Sequence, residues 1–372
     1  MKILLLCWRD STHPQGGGSE RYLERVASYL VKSGHEVIYR TSSFTDSPYR
    51  SYRDGIWFSR RGGKFGVYMH AALAMLAGRV GLGIARNVDV VVDTQNGIPF
   101  FARFFSGRPT ILLTHHCHRE QWPVAGPFLS RLGWFLESVV SPFVHRGMSY
   151  VTVSAPSKEE LVELGVREAD ISIIRNGVDP IPSFVPILPN DQRIHLVTLS
   201  RLVPHKHIED AIDVIEDLDV VLDVIGSGWW EDELRAYAQR KGVSGKVIFH
   251  GQVTEDYKHA LLDQAALHLM PSRKEGWGLA VIEAAQHGVP TIGYTQSGGL
   301  RDSIEDNETG VLVDTPQELS QAVKTLLDDA SYRKKLGERA KLKAHSYSWE
   351  ETGKQFEALL KELLTNTHSA SS

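Results

Sequence analysis

The sequence predicts two consecutive α/β domains, each a doubly wound, mostly parallel sheet of Rossmann-like type. Three observations carry that expectation. A chain of 372 residues suits two domains of ordinary size. Short apolar runs alternate with helical patterns along its whole length, the signature of parallel strands joined by right-handed crossovers. A proline-rich, aperiodic segment over 180–189 interrupts the alternation, which then restarts.

The elements follow in order. Residues 2–7 read as a buried strand, 16–18 as a glycine-rich loop, 19–32 as a helix and 35–40 as a strand. Further strands are expected at 88–93, 110–114, 150–153 and 171–174. Past the proline-rich linker come a strand at 194–200, a helix from about 207, and strands at 220–225, 247–250, 267–270, 291–293 and 311–313. The end reads as helical from about 316 to 364, with a disordered tail over the last eight residues. The expected domains are 1–182 and 183–348, with a helix over about 349–366 returning to the first.

Composition narrows the class. A hydrophobic content of 42% and a charged content of 23% are those of a soluble globular protein. Two cysteines, Cys7 and Cys117, sit at no metal-ligand spacing and fit a reducing, cytoplasmic compartment. Residues 1–7 end in Trp8-Arg9-Asp10, so they read as a strand and not as a signal sequence. The longest apolar stretch, 69–85, is interrupted by Arg79 and glycines and falls short of a membrane span.

Charge is uneven. Residues 1–180 carry a net +5 and the remainder −9. Within 50–108, nine basic residues face three acidic ones, with Trp57, Phe58, Phe65 and Tyr68 interleaved. Such a patch suits peripheral contact with an anionic membrane, at the inner face for a cytoplasmic protein. A solvated face over a small core is the competing reading. No nucleic-acid motif accompanies the patch.

The most informative stretch is Glu275-Gly276-Trp277-Gly278-Leu279-Ala280-Val281-Ile282-Glu283. A preceding strand puts it at the carboxyl edge of a parallel sheet, where open α/β folds bind ligands. Gly276 and Gly278 let a ligand approach the backbone, and the N–H groups near Gly278 and Leu279 face an anion. Glu275 and Glu283 can each take hydroxyls, one before the helix and one a turn inside it. Phosphate beside polyol is the chemistry of a nucleotide sugar.

Other segments add donors. Gly16-Gly17-Gly18 follows the first strand and opens the first helix, another phosphate cradle. Arg201 and Lys206 follow the first strand of the second half and suit a pyrophosphate. Gly226-Ser227-Gly228 also follows a strand, but Glu231 holds the third glycine position, so a dehydrogenase fingerprint is absent. Backbone groups of Gly251-Gln252-Val253 can meet a nucleobase edge. His115, His116 and His118 cluster with Cys117 after a first-domain strand. They lack the spacing of a zinc set and read instead as substrate contacts.

Together these pieces resemble the family-4 glycosyltransferases, retaining enzymes of the GT-B fold. The resemblance rests on Gly16-Gly17-Gly18 with Glu20, Asn176-Gly177-Val178-Asp179, Arg201 with Lys206, Gly226 with Gly228, and Gly251-Gln252-Val253. Glu275 with Glu283, Ser297-Gly298-Gly299 and Thr309 to Val313 complete it. It implies two domains facing each other across a deep cleft. Glu275 would contact the donor sugar, Glu283 the ribose, Arg201 and Lys206 the diphosphate, and the Val253 backbone the base. His118 would be the histidine near the donor sugar, ahead of His115 and His116.

No metal or other cofactor is implied, because Arg, Lys and a helix dipole take the place of Mg²⁺. The expected partners are a nucleotide-sugar donor and a carbohydrate or lipid-linked acceptor. Same-face attack, with the departing phosphate taking the acceptor's proton, is the mechanism the family implies. A nucleotide-sugar epimerase and a non-catalytic nucleotide-sugar binding protein share the architecture and are the competing functions.

Overall fold

The computed structural model describes residues 1–14, 16–119, 122, 126–189 and 192–371. The chain divides into two compact units, residues 1–177 with 348–372 and residues 178–347. Each is a parallel-sheet α/β domain.

The first unit holds an eight-stranded sheet in the order β3-β4-β2-β1-β5-β6-β7-β8. The strands are β1 (Lys2–Leu6), β2 (Glu36–Thr41), β3 (Arg50–Arg53), β4 (Ile56–Arg60), β5 (Val90–Gln95), β6 (Thr110–Thr114), β7 (Ser149–Thr152) and β8 (Ile171–Ile173). All pair in parallel except β3 with β4. That antiparallel hairpin turns at Asp54-Gly55, and the sequence reading had assigned the region only to a charged patch. Its helices are α1 (Gly18–Lys32), α2 (Gly63–Arg79), α3 (Ala102–Phe105), α4 (Pro127–Phe135), α5 (Ser141–Val144) and α6 (Ala155–Glu163), with a π-helical turn at Leu136–Val140.

The second unit has a six-stranded parallel sheet in the order β11-β10-β9-β12-β13-β14. Its strands are β9 (Ile194–Leu199), β10 (Val220–Ile225), β11 (Val247–Gly251), β12 (Ala265–Met270), β13 (Thr291–Tyr294) and β14 (Gly310–Val313). Between them lie α7 (Ile208–Val214), α8 (Glu231–Arg240), α9 (Glu255–Gln264), α10 (Leu279–Gln286) and α11 (Leu300–Ser303). Crossovers from β9 run one way across the sheet and those from β11 onward run the other. The reversal falls between β9 and β12, the kind of point at which such sheets bind ligands.

The helical end expected over about 316–364, with a returning helix from about 349, consists of three helices, α12 (Pro316–Asp328), α13 (Ala330–Ala344) and α14 (Trp349–Ser371). Thr315 and Asp329 break the run by accepting the Glu318 and Tyr332 N–H groups as N-caps. The tail is a second correction. Helix α14 continues to Ser371 where a disordered end was expected, and the Thr365 and Thr367 hydroxyls donate back to the carbonyls of Lys361 and Leu363.

Candidate active site

The two loops at the switch point are stitched together. The Arg273 N–H donates to the His205 carbonyl at 2.9 Å, which joins the loop after β12 to the loop after β9. Lys206 Nζ then lies 2.5 Å from Glu275 Oε1, with both side chains mostly buried. Two residues read from the sequence as separate ligand contacts are thus partners of one another. A sugar hydroxyl at Glu275 and a phosphate oxygen at Lys206 would share one small region.

The Glu275 loop is held by backbone pairing. Glu275 N–H donates to the Ser297 carbonyl at 2.8 Å, and Gly299 N–H donates to the Glu275 carbonyl at 3.0 Å. A Cβ at Gly299 would overlap the backbone of Gly276 and Trp277, which accounts for glycine there. Gly278 caps α10 at φ +95°, a left-handed conformation that places the Leu279 N–H at the helix start. The Trp277 indole is 2% exposed and meets Tyr347 edge-on at 4.8 Å between ring centroids. Its side chain is therefore a core element, and only its backbone can serve a donor.

Glu283 lies on α10 and is 7% exposed. Its Oε1 accepts from Lys258 Nζ at 2.7 Å, and the same ammonium reaches Glu255 at 2.6 Å. Sequence reasoning missed Lys258. It stands 25 positions from Glu283, and no local pattern links α9 to α10.

Arg201 is exposed in the loop after β9. That loop packs directly on the Gly226-Ser227-Gly228 turn, and Leu202 N–H donates to the Ser227 carbonyl at 3.0 Å. Gly226 has φ +124°, and a Cβ there would overlap the Ser200 carbonyl oxygen. The glycine pair is explained by this close approach of two chain segments. Val253 is half-buried and packs with Val197, Leu261 and Leu262, so its side chain faces the core.

In the first unit, Gly17 is the N-cap of α1 and its N–H donates to Glu20 Oε2 at 2.7 Å. Glu20 is fully buried and also takes the Arg9 guanidinium at 3.1 Å. Space is open beside the Cα of Gly18. The histidines separate clearly. His115 is buried against Tyr22, and burial pushes its pKa down to about 4. His118 is half-buried, and its Nδ1 lies 3.0 Å from Glu137 Oε1.

Glu137, in the π-helical turn, is 1% exposed and also accepts from the His118 N–H at 3.0 Å and Trp122 Nε1 at 2.6 Å. With Nδ1 engaged there, Nε2 is the nitrogen left for a substrate. Glu137 escaped the sequence reading, although a lone carboxylate in the stretch 126–146 was a usable signal. Among the described residues, no group of three or more His, Cys, Asp or Glu side chains is placed to hold a metal ion.

Comparison with known proteins follows the same division. The family model described as Glycosyltransferase Family 4 matches residues 16–181, and the one described as Glycosyl transferases group 1 matches residues 183–343. The chain is 25% identical over 402 residues to the glycogen synthase of Mycobacterium tuberculosis, covering 94% of this chain and 92% of that protein. It is 29% identical over 370 residues to the GDP-mannose-dependent alpha-(1-6)-phosphatidylinositol monomannoside mannosyltransferase of the same organism, covering 88% and 90%. Its fold is similar to that of sucrose-phosphate synthase from Thermosynechococcus elongatus, with a TM-score of 0.82 at 18% identity over 98% and 99% of the two chains.

Proposed function

This chain belongs to the family-4 glycosyltransferases, and on that premise we propose that it is a retaining hexosyltransferase using a nucleoside-diphosphate sugar. The acceptor is a carbohydrate, either lipid-linked or part of a cell-envelope glycan precursor. The single observation that carries this reading is the 2.5 Å contact of Lys206 with Glu275 at the switch point of the second sheet. It supports the reading by bringing a cation suited to phosphate and a carboxylate suited to hydroxyls into one place.

In this reading the anomeric carbon–oxygen bond breaks and negative charge develops on the leaving diphosphate. Arg201, Lys206 and the N–H groups near Leu279 neutralise that charge more strongly in the transition state than in the ground state. Glu275 holds the sugar, Glu283 holds the ribose with Lys258 behind it, and the Val253 backbone meets the base. His118, oriented by Glu137, offers Nε2 to a substrate. The acceptor attacks from the face the diphosphate leaves, and a phosphate oxygen takes its proton. Charge neutralisation by these side chains leaves no step that calls for a divalent metal.

A thermal-shift panel of nucleoside diphosphates and their sugars tests the assignment. GDP-mannose belongs on it, since the mannosyltransferase relative is named for that donor. A ligand binding only the native state raises the melting temperature with its saturation. One base should stand out, and its sugar conjugate should transfer label to an acceptor extract. A flat panel would sink the reading.

A further inference from the structure

Helix α2 turns an apolar face to solvent. Phe65, Met69, Leu73, Leu76 and Val80 recur at three- and four-residue intervals, and all are exposed, Phe65 at 74% and Val80 at 72%. The opposite side of the helix, Val67, Ala71 and Met75, is buried against β1, β2 and β5. The outward side of a solvated helix is normally polar. A second row, Leu129, Leu132, Phe135, Val139 and Phe143, runs along α4, the π-helical turn and α5, and Phe143 is 78% exposed. Phe104 on α3 is exposed as well.

Topology puts these rows on one side of the sheet. The crossovers from β4 to β5, β5 to β6 and β6 to β7 all run in the same direction. Right-handed connections therefore place α2, α3, α4 and α5 on the same face, with α1 on the other. Helix α3 packs against α2, and its Arg103 donates to the carbonyls of Val144, the last residue of α5, and of Arg146 just after it, at 2.7 and 3.0 Å.

The charge around the rows is mainly positive. Lys64, Arg79, Arg86, Arg103, Arg108, Arg131 and Arg146 are all exposed. No Asp or Glu occurs from residue 55 to residue 88. Of the nearby carboxylates, Asp93 and Glu137 are buried, Asp89 is exposed and accepts from the Lys2 N–H, and Glu159 and Glu163 are exposed on α6 at the far edge of the same face. This refines the patch read from the sequence: Phe58 is 1% exposed and Arg60 is buried on Asp10, so neither belongs to the surface.

We propose that the outer face of α2, α3, α4 and α5 docks on an anionic bilayer. Apolar side chains enter the headgroup boundary while the ring of cations meets lipid phosphates. Two exposed apolar rows within a mainly basic surround suit a fluid, negatively charged surface. The docking uses none of the residues assigned to sugar transfer, so lipid binding and transfer can fail separately.

Co-sedimentation with phosphatidylcholine vesicles carrying about 30% phosphatidylglycerol, against vesicles without it, is the test. The protein should pellet with the anionic vesicles and not with the neutral ones, and added salt should weaken binding. Phe65→Ser combined with Met69→Ser and Leu73→Ser should cut vesicle affinity by about tenfold or more. Reversing charge with Arg79→Glu and Arg108→Glu should do the same without touching the apolar row. These side chains face solvent, so near-UV circular dichroism should be unchanged in both variants. Failure to pellet with anionic vesicles at low salt would overturn the proposal. So would full binding by either variant, or a lipid-free dimer that the serine substitutions split.

Discussion

Lys206 Nζ lies 2.5 Å from Glu275 Oε1, joining the loop after β9 to the loop after β12. The contact brings together two side chains 69 positions apart. Removing either charge leaves the other poorly compensated in a mostly buried place. Lys206→Met should cost about 1–3 kcal/mol of stability in urea denaturation. It should also lower kcat/KM by about 10²–10³. A variant that lost stability but kept turnover would make the pair purely structural.

Arg201 is exposed, so its removal should spare the fold. Arg201→Ala should stay within about 1 kcal/mol of wild-type stability in urea denaturation while turnover falls by about 10²–10³. A chelator should leave wild-type turnover unchanged. Near-normal turnover in the purified variant would refute the diphosphate assignment.

Lys258 fixes one oxygen of Glu283 at 2.7 Å. If that carboxylate grips the ribose, Glu283→Gln should shrink the preference for a nucleoside diphosphate over its 2′,3′-dideoxy analogue. Lys258→Met should shrink it too, and Lys258→Arg should partly restore it, as read by titration calorimetry. Loss of the preference in the glutamine variant alone would confine the role to Glu283.

Glu137 positions His118. Glu137→Gln keeps the shape but weakens the charge-assisted contact to Nδ1, so kcat should drop by about tenfold or more with little change in donor affinity. Steady-state kinetics beside donor titration would separate the two effects. Equal losses in both would count against a role for His118 near the sugar.

Acid should destabilise the protein through buried histidines. Burial holds His115 and His145 down to about 4 and His268 to about 3. Each is neutral in the native state and protonates in the unfolded chain below about 6.5, so its stability is full above that pH. The contribution is lost as pH falls toward 4, at up to about 3 kcal/mol per group. Asp93 acts oppositely, since burial raises it to about 6 and favours the native state as pH falls through that value. Three groups against one give a net loss. Stability by urea denaturation should therefore decline from pH 6.5 to 4, less steeply in His268→Gln. A flat profile would contradict the burial of these rings.

Much of the fold is legible in the sequence. Alternating apolar runs mark strands and helices because burial imposes a period of two or 3.6 residues, and β1, β6, β9 and β10 fell close to their expected places. The hairpin of β3 and β4 was lost because exposed arginines masked the alternation of a sheet edge. Gly278 could be read from the turn it makes, whereas Gly226 could not, because its constraint comes from the Ser200 carbonyl on another loop.

Most of the strand order, the two-domain plan, and the residue types at the carboxyl edge of the second sheet can be read from the chain alone. Local periodicity and backbone stereochemistry act over a few neighbouring residues, so they leave their mark in the chain. That Lys206 meets Glu275, Lys258 meets Glu283, Glu137 meets His118 and Trp277 turns inward is settled in three dimensions. Those choices are made by packing between elements far apart in sequence, where the cost of burying a charge or an indole depends on what arrives from elsewhere to meet it.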